Sequence, residues 1–154
     1  MAKRERLVLV DGSAVFHRGY HAIPHLTNAE GIPTNATFGF TTMLLKVLAD
    51  LKPKYAIVAW DKSGDTFRKD QYPEYKATRK KQPDDLYAQM PYAREVTEAL
   101  GLPWVELHKY EADDIIGTLG RQAEKRGLET IIVTGDKDEL QLIDEYTKVY
   151  TMRR

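Results

Sequence analysis

The chain has 154 residues, which fits one domain, and a domain of that size buries roughly 70% of the surface its unfolded chain exposes. Lys plus Arg number 23 and Asp plus Glu number 23, so the overall charge points to no class of partner. The lack of cysteine excludes disulfides, thiolate zinc sites and a cysteine nucleophile, and is compatible with a reducing cytoplasm. The apolar stretches are too short to span a bilayer, so no membrane partner is expected. The opening Met1-Ala-Lys-Arg-Glu-Arg6 carries no signal-peptide pattern.

Residues 7–11 read as a buried strand, apolar until Asp11-Gly12 ends it. A short helix is expected from Ser13 to about Tyr20, with Ser13 as its cap. His25 to Thr34 reads as a loop. From Thr34 to Asp50 a helix is expected, with Phe38, Met43, Leu44, Val47, Leu48 and Leu51 on one face and Pro53 stopping it. Residues 55–60 form a second strand. Residues 62–83 are polar and basic, and a connection this long inside a compact domain is functional or disordered. A helix follows from about Asp84 to Leu100, then a third strand over Trp104–Leu107. The next helix spans Glu111–Lys125, with Ile115, Ile116 and Leu119 inward and Gly127 as its C-terminal cap. Thr130–Val133 is a fourth strand, Lys137–Ile143 a short helix and Lys148–Thr151 a fifth strand. Strands alternating with helices predict an α/β fold with a mostly parallel sheet of about five strands.

Seven carboxylates fall where these strands should end: Asp11, Asp61, Glu111, Asp113, Asp114, Asp136 and Asp138. In an open parallel sheet the carboxyl ends of the strands line the crevice where ligands bind, so these groups should converge on one edge. Each has an ordinary structural alternative. Asp136 with Glu139 resembles a capping box. Glu111, Asp113 and Asp114 lie in a first helical turn, where acids gain about 0.3–1 kcal/mol from the helix dipole. Asp11 suits a turn before Gly12. Taken together, seven carboxylates on one edge would repel one another, and a divalent cation removes that penalty. Oxygen-only ligands suit Mg²⁺ or Mn²⁺, and two such ions ~3.5–4 Å apart catalyse phosphoryl hydrolysis.

Charge is segregated as well. Lys62 to Lys81 contains seven Lys/Arg against three Asp/Glu, whereas Glu111 to Asp144 contains nine Asp/Glu against four Lys/Arg. The basic run includes Phe67, Arg68, Tyr75, Lys76, Arg79, Lys80 and Lys81, a mix that neutralises phosphates and stacks on unpaired bases. On composition alone a solvated loop is the more ordinary reading, and lying next to an acidic cleft improves the functional one. His17, His21 and His25 are spaced four apart, but a zinc site would want a further protein ligand close by. Trp60 and Trp104 read as core.

The motifs Leu9-Val-Asp11-Gly-Ser-Ala, Arg18-Gly-Tyr-His21-Ala, Leu26-Thr-Asn28, Gly31-Ile-Pro-Thr34, Phe67-Arg68, Pro73-Glu-Tyr75-Lys76, Tyr110-Glu-Ala-Asp-Asp114 and Thr134-Gly-Asp-Lys-Asp138 occur in this order. Together they resemble the 5′→3′ exonuclease domain at the N-terminus of bacterial DNA polymerase I, within the flap endonuclease group. The resemblance covers essentially the whole chain. It implies a PIN-like three-layer α/β fold with a helical arch or mobile basic segment. It also implies hydrolysis of phosphodiesters in 5′ flaps and RNA primers during DNA replication and repair. By motif position, Asp11, Asp61, Glu111, Asp113, Asp114, Asp136 and Asp138 would hold Mg²⁺ or Mn²⁺, two ions in the complete domain. Lys76 and Arg68 would act on the scissile phosphate. Arg18, Phe67, Tyr75, Arg79, Lys80 and Lys81 would bind the nucleic acid, Tyr75 by stacking on a base. The resemblance further implies a polymerase domain in the same natural polypeptide and a cytoplasmic location. The family continues past the fifth strand into a further aspartate motif and a helix-hairpin-helix region. The chain is therefore expected to be the N-terminal portion, residues 1–154, of such a domain.

Three other readings stand beside this one. A PIN-type ribonuclease would prefer single-stranded RNA, and the long basic segment argues against it. A nucleic-acid-binding fragment with an incomplete metal site would bind without turnover. A phosphate-receiving domain would need a lysine after its last strand, where this chain provides none.

Overall fold

The computed structural model describes residues 3–62 and 83–151, with only the backbone of Asp138. Five strands form one sheet: β1 (Arg6–Asp11), β2 (Tyr55–Ala59), β3 (Trp104–Val105), β4 (Glu129–Val133) and β5 (Thr147–Tyr150). Their order is β3-β2-β1-β4-β5, and every pairing is parallel. The helices are α1 (Gly12–Ala22), α2 (Asn35–Leu51), α3 (Asp84–Ala99) and α4 (Ala112–Lys125), with a 3₁₀ turn over Lys137–Leu142.

The central strands are apolar throughout because both of their faces are covered. Alternation sorts their side chains. Val8 and Val10 of β1, Val58 of β2, and Ile131 and Val133 of β4 pack with Phe16, Phe40, Trp60 and Leu86 from the α1, α2 and α3 side. Leu7, Leu9, Ala59 and Ile132 face the other way, onto Ala112, Ile115, Ile116 and Ala123 of α4. The result is three layers, helices–sheet–helix. Register keeps each layer aligned: Val10 lies beside Val58 on one flank and Val133 on the other. Trp60 is fully buried and meets Phe16 edge-on at 6.2 Å and Phe40 at 5.4 Å.

The layer of α1 to α3 is held by close approach and by a buried amide network. A Cβ on Gly39 would stand 2.6 Å from the Cα of Gly19, so only glycines let α1 and α2 approach so closely. Gln89 of α3 is fully buried. Its Oε1 accepts from Thr37 N at 3.0 Å, and its Nε2 donates to Asn35 Oδ1 at 2.9 Å. Asn35 in turn donates to the Tyr20 carbonyl at 3.1 Å. These bonds satisfy polar groups that would otherwise be costly to bury.

Several local expectations change. The cap of α1 is Asp11, whose Oδ1 accepts from Ala14 N at 3.0 Å. Ser13 instead accepts from Asp61 N at 2.9 Å. On α2, Phe38 is 56% exposed while Phe40 is fully buried. The inward stripe is Ala36, Phe40, Leu44 and Val47, a repeat of four, four and three that follows the helical period. The third strand is only Trp104–Val105. Trp104 is half-buried, and its indole N–H donates to Glu98 at 3.0 Å. Among the described residues no helix is long and apolar enough to cross a membrane.

Candidate metal centre

Every strand is parallel, so their carboxyl ends share one edge. The sheet runs outward from β1 in both directions, through β2 to β3 and through β4 to β5. The crevice at such a switch point lies above the ends of β1 and its neighbour β4. Asp11 closes β1 and is buried. Asp61 lies two residues beyond β2, and Asp136 three beyond β4; both are exposed. Glu111, Asp113 and Asp114 occupy the start of α4, which follows β3.

Backbone contacts orient these groups. The Asp61 Oδ1 accepts from Ala112 N at 2.6 Å, so a residue after β2 caps the helix after β3. Asp114 Oδ2 accepts from Glu111 N at 2.9 Å in a capping box. Asp113 Oδ1 accepts from Asp114 N at 3.0 Å. Each of these carboxylates spends one oxygen on an amide, which fixes its direction as ligand-orienting contacts do around metals. Glu111, Asp113 and Asp114 each offer a carboxylate oxygen within 4.8 Å of the others.

Burial and mutual repulsion then act on the acids that face the crevice. Burial pushes the Asp11 carboxyl up to about 7. The Ala14 amide opposes this, and the charges of Asp61 and Asp136 reinforce it. Glu139 is pushed further, to about 9, first by burial and then by the Asp11 charge, with Asp113 adding to it. Asp11 thus feels the charges of Asp61 and Asp136, and Glu139 those of Asp11 and Asp113. Arg18 is half-buried beside them; a Cβ on Gly135, in the loop after β4, would stand 3.9 Å from its Cδ.

Glu139 is the group that sequence reasoning missed. The expected capping box with Asp136 does not form, because the Asp136 amide donates to Thr134 Oγ1 at 2.9 Å. Glu139 is fully buried, and its carboxyl lies against the Asp11 carboxyl and the Thr134 side chain. The only signal was one more acid than a helix start requires. Of the other expected residues, Asp138 lies in the 3₁₀ turn, its side chain outside the description. Phe67, Arg68, Tyr75, Lys76, Arg79, Lys80 and Lys81 lie outside the described residues. His21 and His25 are exposed, and the candidate metal cluster is made of carboxylates alone.

The donor set fits a hard divalent cation. It is oxygen only and it is gathered from separate elements. A groove of about 830 Å³ lies at the opposite, amino edge of the sheet, between Leu7, Tyr55, Leu102 and Leu128, and none of the expected site residues lines it.

A doubly wound parallel sheet with carboxylates collected at its switch point has the PIN-like fold of 5′ nucleases, and known proteins bear this out. Over 96% of the chain the structure matches the T5 D15 protein co-crystallised with metal ions, with a TM-score of 0.77, 18% identity and 55% of that chain covered. Over 95% it matches human GEN1 in complex with Holliday junction DNA, with a TM-score of 0.54, 15% identity and 34% of that chain covered. In sequence, the chain is 46% identical over 154 residues to DNA polymerase I of Bacillus subtilis, and 48% identical over 140 residues to that of Caldicellulosiruptor bescii. Those alignments take in 100% and 91% of this chain but only 18% and 16% of the two polymerases. The family model for the 5′-3′ exonuclease, N-terminal resolvase-like domain matches residues 6–154. The chain belongs to that family.

Proposed function

We propose that the chain is the metal-binding part of a structure-specific 5′ nuclease that hydrolyses phosphodiesters in 5′ flaps and RNA primers. The observation that carries this reading is the convergence of carboxylates from β1, from the segments after β2 and β4, and from the start of α4 on one edge. A divalent cation held there, Mg²⁺ or Mn²⁺, would neutralise phosphate charge and make a bound water acidic enough to attack. Asp11, Asp61, Glu111, Asp113, Asp114, Asp136 and Asp138 hold and orient that cation. The Arg18 guanidinium, beside Gly135, is read as a contact to the phosphates of the nucleic acid. The role of Lys76 and Arg68 on the scissile phosphate, and of Phe67, Tyr75, Arg79, Lys80 and Lys81 along the strand, rests on their motif positions. Metal ions and DNA occur together in a structure of the T5 D15 flap endonuclease, which supports the same pairing here. A polymerase domain in the same polypeptide and a cytoplasmic location belong to the same reading, the first supported by the DNA polymerase I relatives.

The test is cleavage of a 5′-labelled flap DNA in Mn²⁺, with and without EDTA. Cutting near the junction is expected, lost in EDTA and lost in Asp136→Asn. Asp136 is exposed, so that substitution leaves the core untouched. Unchanged turnover in the variant would sink the assignment. Salt-sensitive DNA binding by a folded chain that never cuts would favour instead a binding module with part of a site.

A further inference from the structure

The groove of about 830 Å³ lies at the opposite end of the strands from the carboxylates and takes no part in the function proposed above. Leu7, Ile57, Leu102 and Leu128 give it an apolar floor, and Lys52, Lys54 and Arg126 stand around it. Among the described residues that line it, Glu5 is the single acid, and Lys54 already pairs with it. Lys52 and Arg126 are exposed and have no acidic partner among the described residues. Both close helices, Lys52 at the end of α2 and Arg126 at the end of α4, where a cation answers the helix dipole. The dipole accounts for the charge but not for the backbone of Lys52, which is left-handed at φ 44°. Glycine is the ordinary residue in that conformation. The endings of α3 and α4 do use it, with Gly101 at φ 73° and Gly127 at φ 74°.

The same groove uncovers a strand edge. The third strand begins only opposite Val58, at Trp104. On that side of β2 the Val58 N–H donates to the Pro103 carbonyl at 3.0 Å, and the Trp60 N–H to the Val105 carbonyl at 2.8 Å. One step back, the ladder would join the Ala56 N–H to the Gly101 carbonyl, and that bond does not form. The matching donor to the Ala56 carbonyl would be residue 103, a proline, which has no N–H. Ala56 is half-buried and lines the groove. An open step of this kind is a template for another strand.

We propose that this groove docks an extended acidic segment of a partner protein. The segment adds to the outer edge of β2 at Ala56, lays alternate apolar side chains on the floor, and meets Lys52 and Arg126 with its carboxylates. An apolar floor beside an open strand edge suits a peptide, whereas cations alone would suit any anion. This site is independent of the nuclease reading, and either can fail without the other.

The test measures fluorescence anisotropy of a labelled peptide that alternates leucine with aspartate, in EDTA so that no metal bridges it to the carboxylates. Its counterpart with lysine in place of aspartate is the control, and a third peptide carries N-methyl groups on the amides of one edge. The acidic peptide is expected to bind the parent, and the lysine peptide is not. Lys52→Gly and Arg126→Gln should each weaken binding about 2–5-fold, and N-methylation should weaken it about tenfold. Lys52→Gly should melt no lower than the parent, since glycine takes a left-handed backbone without strain; weaker binding then reflects the lost charge and not a damaged fold. No saturable binding of the acidic peptide overturns the proposal. Equal binding of the lysine peptide, or affinity unchanged in both variants, overturns it as well. Affinity unchanged by N-methylation removes the strand edge and overturns it. Displacement of the peptide by short single-stranded DNA that itself depends on Lys52 and Arg126 makes the groove a nucleic-acid site. Sedimentation showing a dimer in the parent and a monomer in the double variant assigns the groove to a second copy; either result overturns the proposal.

Discussion

At the amino edge of the sheet, charges are matched. Glu129 stands between Arg6 at 3.6 Å and Lys148 at 3.1 Å, and Glu5 pairs with Lys54 at 2.5 Å. The Lys148 ammonium holds the Glu129 carboxyl below its ordinary range. At the carboxyl edge of the same five strands, burial and neighbouring acids drive Asp11 and Glu139 the opposite way. The two edges share strands, register and core, so the difference does not come from the fold. It comes from which residues the chain places just before and just after each strand. One edge pairs acid with base, and the other gathers acids that raise one another's pKa.

The comparison breaks most readily at Gly12, the junction between β1 and α1. A Cβ there would lie 2.8 Å from the Trp60 ring and from Val58 Cγ1, and Trp60 is fully buried with nowhere to move. Gly12→Ala should cost about 1–3 kcal/mol by overpacking. It should also displace Asp11, the adjacent residue and the cap of α1. Thermal unfolding reads the first effect, and Mn²⁺ titration of the folded variant reads the second. A variant that melts and binds metal as the parent does would show that the carboxyl edge is not held in place by this packing.

A smaller effect tests the electrostatic difference itself. In the metal-free chain, Asp11 moves from 3.8 to about 7 and Glu139 from 4.5 to about 9. Between those limits the folded chain keeps protons that the unfolded chain has released. Stability is therefore fully present below the unfolded values and is lost as pH rises through the folded ones. Calorimetry should show the metal-free melting temperature falling from about pH 4 to about pH 9, with the fall removed by saturating Mn²⁺. A melting temperature that rises across that range would mean the carboxyl edge carries no such strain.

How far this could be read in advance differs from region to region. The strands and their order of alternation with helices were legible because central parallel strands are uninterrupted apolar runs and turn residues end them. The convergence of Asp11, Asp61, the Glu111–Asp114 group and Asp136 was legible because a parallel sheet brings all strand ends to one edge. Side-chain direction was less so. Phe38 and Phe40 differ by two positions on α2, which places them on opposite faces, and composition gives no reason to prefer either. Ser13 and Asp11 are both good caps; the structure uses Asp11 because Ser13 is taken by Asp61. Glu139 was the hardest, since a charged residue at that spacing from Asp136 reads as a surface cap. Only the burial of Glu139 itself, in a 3₁₀ turn whose Lys137, Leu140 and Gln141 are exposed, reveals that it points inward.

The smallest effect belongs to the amino edge. Lys148 is largely exposed, with 68% of its side-chain surface accessible, although its partner Glu129 is more covered at 16%. Exposed ion pairs contribute little, because both charges are well hydrated apart and lose side-chain freedom together. Arg6 also remains beside Glu129 to share its charge. Lys148→Met should therefore leave the melting temperature within about 2 °C of the parent and leave Mn²⁺ affinity unchanged, since β5 meets this charge at the end of the sheet away from the crevice. A large fall in stability would mean that the matched edge is under tension too, and that the contrast between the two edges is one of degree. A change in metal affinity would mean that charge at one edge is felt at the other across the length of β4, which the apolar interior between them, Ile131 to Val133, gives no path to carry except the field itself.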